Sequence, residues 1–221
     1  MTTAHQDPRP DVSDMFVVHQ ALRDSLGSDP NLVHGVSASD TERVELITNL
    51  YDNVLDFLHV HHEGEELLVF PRLRERCPDQ LELLDLMASQ HADVVELIQR
   101  SSGALAAWAG GEASAQEESA TALGELGERL EQHLGEEERR ILPLCAENLS
   151  VEEWGALPGH ALGSFTGDKV WLILGLIRQR MTQASRDEML AHMPAPAVEM
   201  WTTMGEQAYK NLMSEVGAPL S

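Results

Sequence analysis

The chain has 221 residues, and its hydrophobic fraction of 43% is enough to bury the core of one compact domain with an extension. Its 15 basic and 37 acidic residues give a net charge of -22, which makes nucleic acid and anionic membranes poor partners. The longest apolar run, residues 170–177, is much shorter than the roughly 18 to 20 residues of a membrane span. Two cysteines and no charged-then-apolar leader predict a soluble protein of the reducing cytoplasm.

Amphipathic helices begin after a short lead-in. Residues 1–12 hold two prolines and no apolar period, which predicts a disordered or extended segment. Ser13 is a candidate N-cap for a first helix that ends near Gly27, and residues 27–38 are predicted to form a loop. The apolar seam of the first helix runs through Met15, His19, Leu22 and Leu26.

The second helix is predicted to start at a capping box of Ser39 and Glu42, and Pro71 is predicted to end or kink it. Asp79 with Glu82 predicts the start of a third helix. The core-facing stripe of the second helix contains Val54, Leu58, His61, Glu65 and Leu68. That of the third contains Leu84, Met87, His91, Val94 and Ile98.

A linker with three glycines is predicted over residues 101–113, and Ser114 with Glu117 predicts the start of a fourth helix. The inner stripe of this helix contains Leu123, Leu126, Leu130, His133, Glu137 and Ile141. No alternating strand pattern occurs in the sequence. We therefore expect an all-α protein with an antiparallel up-and-down four-helix bundle over residues 13–148.

Residues 149–221 form a helical C-terminal extension. The pattern predicts a turn at residues 157–160, an apolar helix over about residues 168–180, and another helical segment after a break at residues 193–196. We expect the extension to pack on the bundle. A dimer interface and a lid remain open alternatives, and the sequence leaves the oligomeric state unknown.

The bundle sequence contains an internal repeat. The segment LHVHHEGEELLVFP at residues 58–71 recurs in altered form as LEQHLGEEERRILP at residues 130–143. One shift of 72 residues aligns His61 with His133, Glu65 with Glu137, and His19 with His91. The repeat therefore indicates a duplicated helix pair that delivers four histidines and two carboxylates to one dinuclear metal site.

The chemistry of these residue types supports that interpretation. A histidine and a glutamate four residues apart on a helix point the same way and can share a metal ion. An ionised glutamate on an apolar seam costs several kcal/mol unless a cation or hydrogen bonds compensate. The alternative is a set of core histidines satisfied by hydrogen bonds, with glutamates reaching solvent. The ligand types suit iron, manganese or zinc, and the Glu-x-x-His motif of ferritin-like diiron bundles is absent.

At these residues the chain resembles the hemerythrin-like, or HHE cation-binding, family over about residues 13–145. The resemblance implies a four-helix bundle with two iron ions, Fe(II) or Fe(III), joined by an oxo or hydroxo bridge. It implies Glu65 and Glu137 as bridging carboxylates. The implied metal ligands are His19, His61, Glu65, His91, His133 and Glu137. With six positions on each iron, this set leaves two positions for water or a small molecule.

The sequence departs from the oxygen-carrying members of the family. Those proteins supply a fifth histidine through an HxxxH pair, but the residue four after His91 is Val95, and Glu137 replaces their aspartate. His62 follows His61 by about 100° of helical turn and is expected at the helix flank. Candidates for a further ligand are His34, His62, His59 and Tyr51. Glu63 and Glu66 are expected either to support the ligands from outside or to face solvent. Residues expected to lie outside the site are Cys77, Cys145, His160 and His192.

Three functions fit this sequence. The first is a diiron protein that binds or reacts with dioxygen or a related small molecule such as peroxide or nitric oxide. The second is a diiron oxidase, oxygenase or peroxide-decomposing enzyme whose C-terminal extension shapes a substrate pocket. The third is an iron or oxygen sensor whose bundle loosens when metal is lost.

Overall fold

A computed structural model of the chain describes residues 8–27, 31–37, 39–112, 114–165 and 169–217. These residues are helical or irregular, and none of them forms a strand, which confirms the predicted all-α class. Most of the predicted lead-in, residues 1–7, lies outside the described ranges. None of the described helices is both long and apolar enough to cross a bilayer.

Four helices form the bundle. They are α1 (Ser13–Leu26), α3 (Thr41–Gly64), α5 (Leu81–Ala109) and α6 (Ala115–Asn148), and the one-turn helix α2 (Asn31–His34) lies between the first two. Helix α1 contacts α3 and α6, and α5 contacts α3 and α6. This order of contacts is the one that an up-and-down arrangement requires, and that arrangement remains the predicted topology.

Two of the predicted helix starts are one residue out of place. Ser13 is the first residue of α1 rather than its cap, and its backbone N–H donates to Asp11 Oδ1 at 2.9 Å. Asp40, not Ser39, caps α3 by accepting a hydrogen bond from the backbone N–H of Arg43 at 3.1 Å. Asp and Ser are both favoured N-caps, so the residue types alone do not decide between neighbours.

The predicted linker over residues 101–113 is wrong, because α5 continues to Ala109. Leu105 and Trp108 lie in the hydrophobic core, and their burial stabilises two further helical turns. Gly103 does not interrupt the helix, since a single glycine costs about 1 kcal/mol relative to alanine. The connection to α6 is therefore shorter than predicted.

The two aligned prolines have different effects. A π-helical turn, Glu65–Val69, separates α3 from α4 (Phe70–Arg76), and Pro71 lies in the first turn of α4 where its missing N–H removes no helical bond. Pro143 lies inside α6, which runs on to Asn148. A 3₁₀ turn, Pro78–Gln80, then leads from α4 into α5.

The extension consists of short helices. They are α7 (Val151–Trp154), α8 (Ala156–Ser164), α9 (Lys169–Arg178), α10 (Gln183–His192), α11 (Ala195–Met200) and α12 (Glu206–Val216), with a π-helical turn, Trp201–Gly205, between the last two. The turn predicted at residues 157–160 is wrong, since these residues are part of α8. Helix α8 contacts α3, and α9 contacts α1 and α3. The rings of Phe57 and Phe165 lie 6.2 Å apart between centroids, so bundle and extension share one hydrophobic core.

Candidate metal centre

The structure brings together all six side chains that the sequence singled out. The ligand-type atoms of His19, His61, Glu65 and Glu137 lie within 4.8 Å of one another, and so do those of His62, His91 and His133. All seven side chains are buried, and the two glutamates are each only 1% exposed. His62, which the sequence left open as a candidate for a further ligand, thus lies with this cluster.

Each bundle helix contributes to this cluster. Helix α1 carries His19, α3 carries His61 and His62, α5 carries His91, and α6 carries both His133 and Glu137. Glu65 is the first residue of the π-helical turn. Such turns are frequent at functional sites, where the extra residue re-aims side chains.

The two glutamates occupy equivalent places between the histidines. Glu65 Oε1 lies 3.4 Å from His61 Nε2, and its Oε2 lies 3.6 Å from His91 Nε2. Glu137 Oε2 lies 3.6 Å from His19 Nε2 and 3.7 Å from His133 Nε2. Each carboxylate therefore lies between one histidine of its own repeat and one histidine of the other. A carboxylate that spans two cations needs this arrangement.

Polar groups outside the cluster orient three of the imidazoles. Glu138 Oε1 lies 2.9 Å from His19 Nδ1, and Glu66 Oε1 lies 2.8 Å from His91 Nδ1. Gln90 Oε1 lies 2.9 Å from Nδ1 of His133. Since these oxygens accept the proton on Nδ1, the lone pair of each Nε2 points into the cluster.

Two of those lone pairs face each other. His91 Nε2 and His133 Nε2 are 3.1 Å apart, and both rings use Nδ1 as the donor to an outer partner. Two lone pairs at this distance repel unless a cation lies between them. Ligands about 2.1 Å from one metal ion, at right angles, are about 3 Å apart. The separation therefore fits two adjacent ligands of a single ion.

Buried polar atoms of the cluster are left without hydrogen-bond partners. They are His19 Nε2, His61 Nε2, both ring nitrogens of His62, both carboxylate oxygens of Glu65, and Glu137 Oε2. Leaving one such group unpaired costs about 1 to 3 kcal/mol, and charged groups cost more. Cations held among these atoms would satisfy all of them except one ring nitrogen of His62, because an imidazole presents only one nitrogen to a given ion. The residues present therefore fit a metal centre.

The pKa shifts of the buried side chains also favour a bound cation. Burial raises the pKa of Glu65 well above its usual range, and the neighbouring charge of Glu137 raises it further. Burial lowers the pKa of His61 well below its usual range and that of His133 to about 2. These two imidazoles thus remain neutral and free to donate electron pairs. A bound cation favours an ionised carboxylate beside neutral imidazoles.

Most of the other candidate ligands lie elsewhere. His34 is exposed beside Glu117, at 3.2 Å, and His59 is exposed on α3. Tyr51 is buried, but it lies ten residues before His61 on the same helix, which places it about 15 Å away. These three side chains do not reach the cluster.

The two other histidines in the described part of the chain and the two cysteines also lie outside it. His160 Nε2 lies 3.3 Å from Glu63 Oε2, and His192 Nδ1 lies 2.9 Å from the backbone carbonyl of Glu188. Cys77 and Cys145 are buried free thiols. Burial raises the pKa of both, which favours the unreactive protonated form.

Glu66 was expected either to support the ligands from outside or to face solvent, whereas the outer partners Glu138 and Gln90 were missed by the sequence reasoning. Glu66 and Glu138 obey the same shift of 72 residues as the cluster itself, so the repeat carried a signal for them. The repeat carried no signal for Gln90, because the residue 72 positions earlier, directly before His19, is Val18. The role of Gln90 depends on where α6 places His133.

The buried imidazoles and carboxylates inside a helical bundle define the class as a metal-binding helical-bundle protein. The hemerythrin HHE cation binding domain matches residues 11–145. The chain therefore belongs to the hemerythrin HHE family, which confirms the resemblance seen in the sequence. Searches of the curated proteins and of the solved structures found no match. The family binds metal cations, commonly iron.

Proposed function

We propose that this protein holds two iron ions in the cluster and binds or reacts with dioxygen or a related small molecule such as peroxide or nitric oxide. The observation that carries the proposal is the position of the two carboxylates. Glu65 and Glu137 each lie within 3.7 Å of one histidine from either repeat. Two cations bridged by two carboxylates would use this arrangement.

Each side chain has a distinct role in this proposal. His19 and His61 would bind one cation, His91 and His133 would bind the other, and the two glutamates would bridge them. A diiron pair supplies electrons for reversible binding or reduction of a small oxidant. The outer partners hold the imidazoles in place when the charge of the site changes.

The protein around the cluster keeps bulk water out. The Phe70 ring is nearly parallel to that of His91, with 12° between the planes and 5.3 Å between the centroids. Leu58, Leu84 and Met87 are fully buried on the helices that carry the ligands. A dry site strengthens the attraction between cations and carboxylates, because a low dielectric screens charges weakly.

Metal analysis combined with absorption spectroscopy tests the proposal. We expect two irons per chain, near-ultraviolet charge-transfer bands in the oxidised protein, and a spectral change when the anaerobically reduced protein meets dioxygen, peroxide or nitric oxide. The Glu65→Leu, Glu137→Leu double variant should lose these bands, while Glu63→Gln should keep them. A wild-type protein that binds no iron, or shows no spectral response to any of the three molecules, would contradict the proposal.

A second candidate is a diiron oxidase, oxygenase or peroxide-decomposing enzyme. The observation in its favour is the position of α8 beside the glutamate-bearing turn. A Cβ on Gly64 would lie 3.1 Å from His160 Cδ2 and 3.4 Å from Leu157 Cδ2, so the extension covers the residue before Glu65. Catalytic loss of peroxide, or oxygen consumption that depends on an organic substrate, would favour an enzyme over simple binding.

The proposed location is the cytoplasm. Cys77 and Cys145 are free thiols, as is typical of proteins in a reducing compartment. Blocking free thiols during lysis and then counting the modified cysteines by mass spectrometry tests this proposal. Recovery of a disulfide between them would contradict it.

A further inference from the structure

Among the described residues, His62 is the one imidazole of the cluster whose two ring nitrogens are both buried without a hydrogen-bond partner. It is 3% exposed, and neither Nδ1 nor Nε2 has a hydrogen-bond partner. Its ring centroid lies 4.2 Å from that of His91 and 5.0 Å from that of His133. An imidazole buried without any partner is costly, so its position requires an explanation.

We propose that His62 is a third imidazole ligand of the cation held by His91 and His133. The inference rests on the proposed metal centre and adds a residue to it. Ligand-type atoms of these three histidines lie within 4.8 Å of one another, and the other compact group contains His19 and His61. The two cations are therefore bound unequally, one by three imidazoles and the other by two.

The position of α5 explains how a residue on the flank of α3 enters the site. Helices α3 and α5 are packed neighbours, so the flank of α3 that carries His62 faces α5 and the interior of the bundle. On α5 itself, the residue one turn after His91 is Val95, which offers no ligand atom. His62 supplies from α3 the imidazole that α5 lacks at this point.

This assignment changes the coordination of the pair. On two octahedral ions with twelve positions, the five imidazoles would fill five, the two carboxylates four and a bridging oxygen two. One position would remain, at the cation bound by His19 and His61. Small molecules would therefore bind at that ion, on the side of the cluster formed by α1 and α3.

Substitution of His62 by phenylalanine tests the assignment. His62→Phe keeps the ring that packs on His91 but removes both nitrogens. We expect the iron content to fall from two to about one per chain. If both irons remain, the resistance of one of them to a chelator should fall at least about tenfold, because loss of a supporting contact alone lowers metal affinity by about that factor. His59→Phe, three residues earlier on the exposed side of α3, is the matched control and should keep two irons.

Two further measurements separate ligation from packing. Mössbauer spectra of the wild-type protein should show two unequal iron sites in a one-to-one ratio, and azide should bind with a stoichiometry of one per chain. The cavity variant His62→Ala should lose iron and regain it when free imidazole is added, which restores a ligand without restoring the side chain. This rescue also decides the question if His62→Phe does not fold.

The outcomes distinguish this inference from the proposed function. If the wild-type protein binds two irons and His62→Phe keeps both with unchanged chelator resistance and Mössbauer spectra, the role of His62 is wrong and the metal centre stands. If imidazole fails to rescue an iron-deficient, folded His62→Ala, the ligand assignment is also wrong. A wild-type chain without iron would overturn both proposals.

Discussion

Glu66 and Glu138 show how a carboxylate at the edge of a buried cluster controls a histidine inside it. Each glutamate directly follows a bridging candidate and accepts a hydrogen bond from a histidine of the opposite repeat, His91 or His19. The neighbouring guanidinium of Arg23 also binds Glu138, at 2.6 Å. The duplicated sequence thus repeats the support of the ligands as well as the ligands themselves.

Removing Glu66 should weaken metal binding without unfolding the protein. Its side chain is 40% exposed, so Glu66→Ala leaves no buried cavity, but Nδ1 of His91 loses its acceptor and the ring loses its fixed orientation. We expect a loss of about 10- to 100-fold in iron affinity, measured by chelator competition, and a smaller loss in Glu66→Gln.

Glu63→Ala is the control for this experiment. Glu63 lies in the same segment, but its partner is His160, which is outside the cluster. Equal losses of affinity in the two variants would show that Glu66 acts through general charge and not through His91.

At the scale of helices, close approach between α1 and α6 fixes the position of His19. A Cβ on Gly127 would lie 2.6 Å from the backbone oxygen of Leu26 at the end of α1. Only glycine allows this separation, because real Cβ atoms essentially never come so close to another atom. The small residue on α6 therefore determines how near α1 can bring its histidine.

Gly127→Ala should destabilise the protein by about 1 to 3 kcal/mol, because the backbone of α1 must move away. Gly124→Ala, on the same helix, meets nothing within 4 Å and should stabilise the protein by up to about 1 kcal/mol through helix propensity. Urea denaturation of both variants measures the difference. Equal effects at the two positions would contradict the close packing of α1 on α6.

At the scale of the whole molecule, the proposed cations join all four long helices. Ligand candidates come from α1, α3, α5 and α6, and the hydrophobic core continues from these helices into the extension. Metal loss would leave the buried polar atoms of the cluster without partners, and the cost would be shared by every helix. The sensor hypothesis depends on this coupling between metal and fold.

Removal of metal by a chelator should lower the melting temperature of the wild-type protein. A metal present at about 1,000 times its dissociation constant stabilises the folded state by about 4 kcal/mol, which corresponds to about 10 °C for a chain of this size. Calorimetry with and without chelator measures the shift.

The Glu65→Leu, Glu137→Leu variant is the control for the melting experiment. It replaces two buried carboxylates by apolar groups, so its melting temperature should not respond to the chelator. An unchanged wild-type melting temperature, after metal analysis has shown that the iron is gone, would rule out the sensor hypothesis.

The helical class and six members of the cluster could be predicted from the amino-acid pattern alone. A shift of 72 residues repeats histidines, glutamates and a proline along helical stripes, and a stripe on an amphipathic helix must face the core. The positions of His61 and Glu137 on these stripes therefore predict that both side chains point toward the core. The repeat also contained Glu66, which was expected either to support a ligand or to face solvent, and Glu138, whose role was missed.

The position of His62, the partner of His133 and the true length of α5 depend on how the helices pack against one another. His62 lies on a flank, and whether a flank is inside or outside depends on which neighbouring helix packs against it. Gln90 accepts a hydrogen bond from His133, which lies on α6. Helix α5 continues past the predicted end because Leu105 and Trp108 pack into the hydrophobic core. Periodicity along one helix gives the direction of its central stripe, but contacts at its edges depend on packing between helices that are distant in sequence.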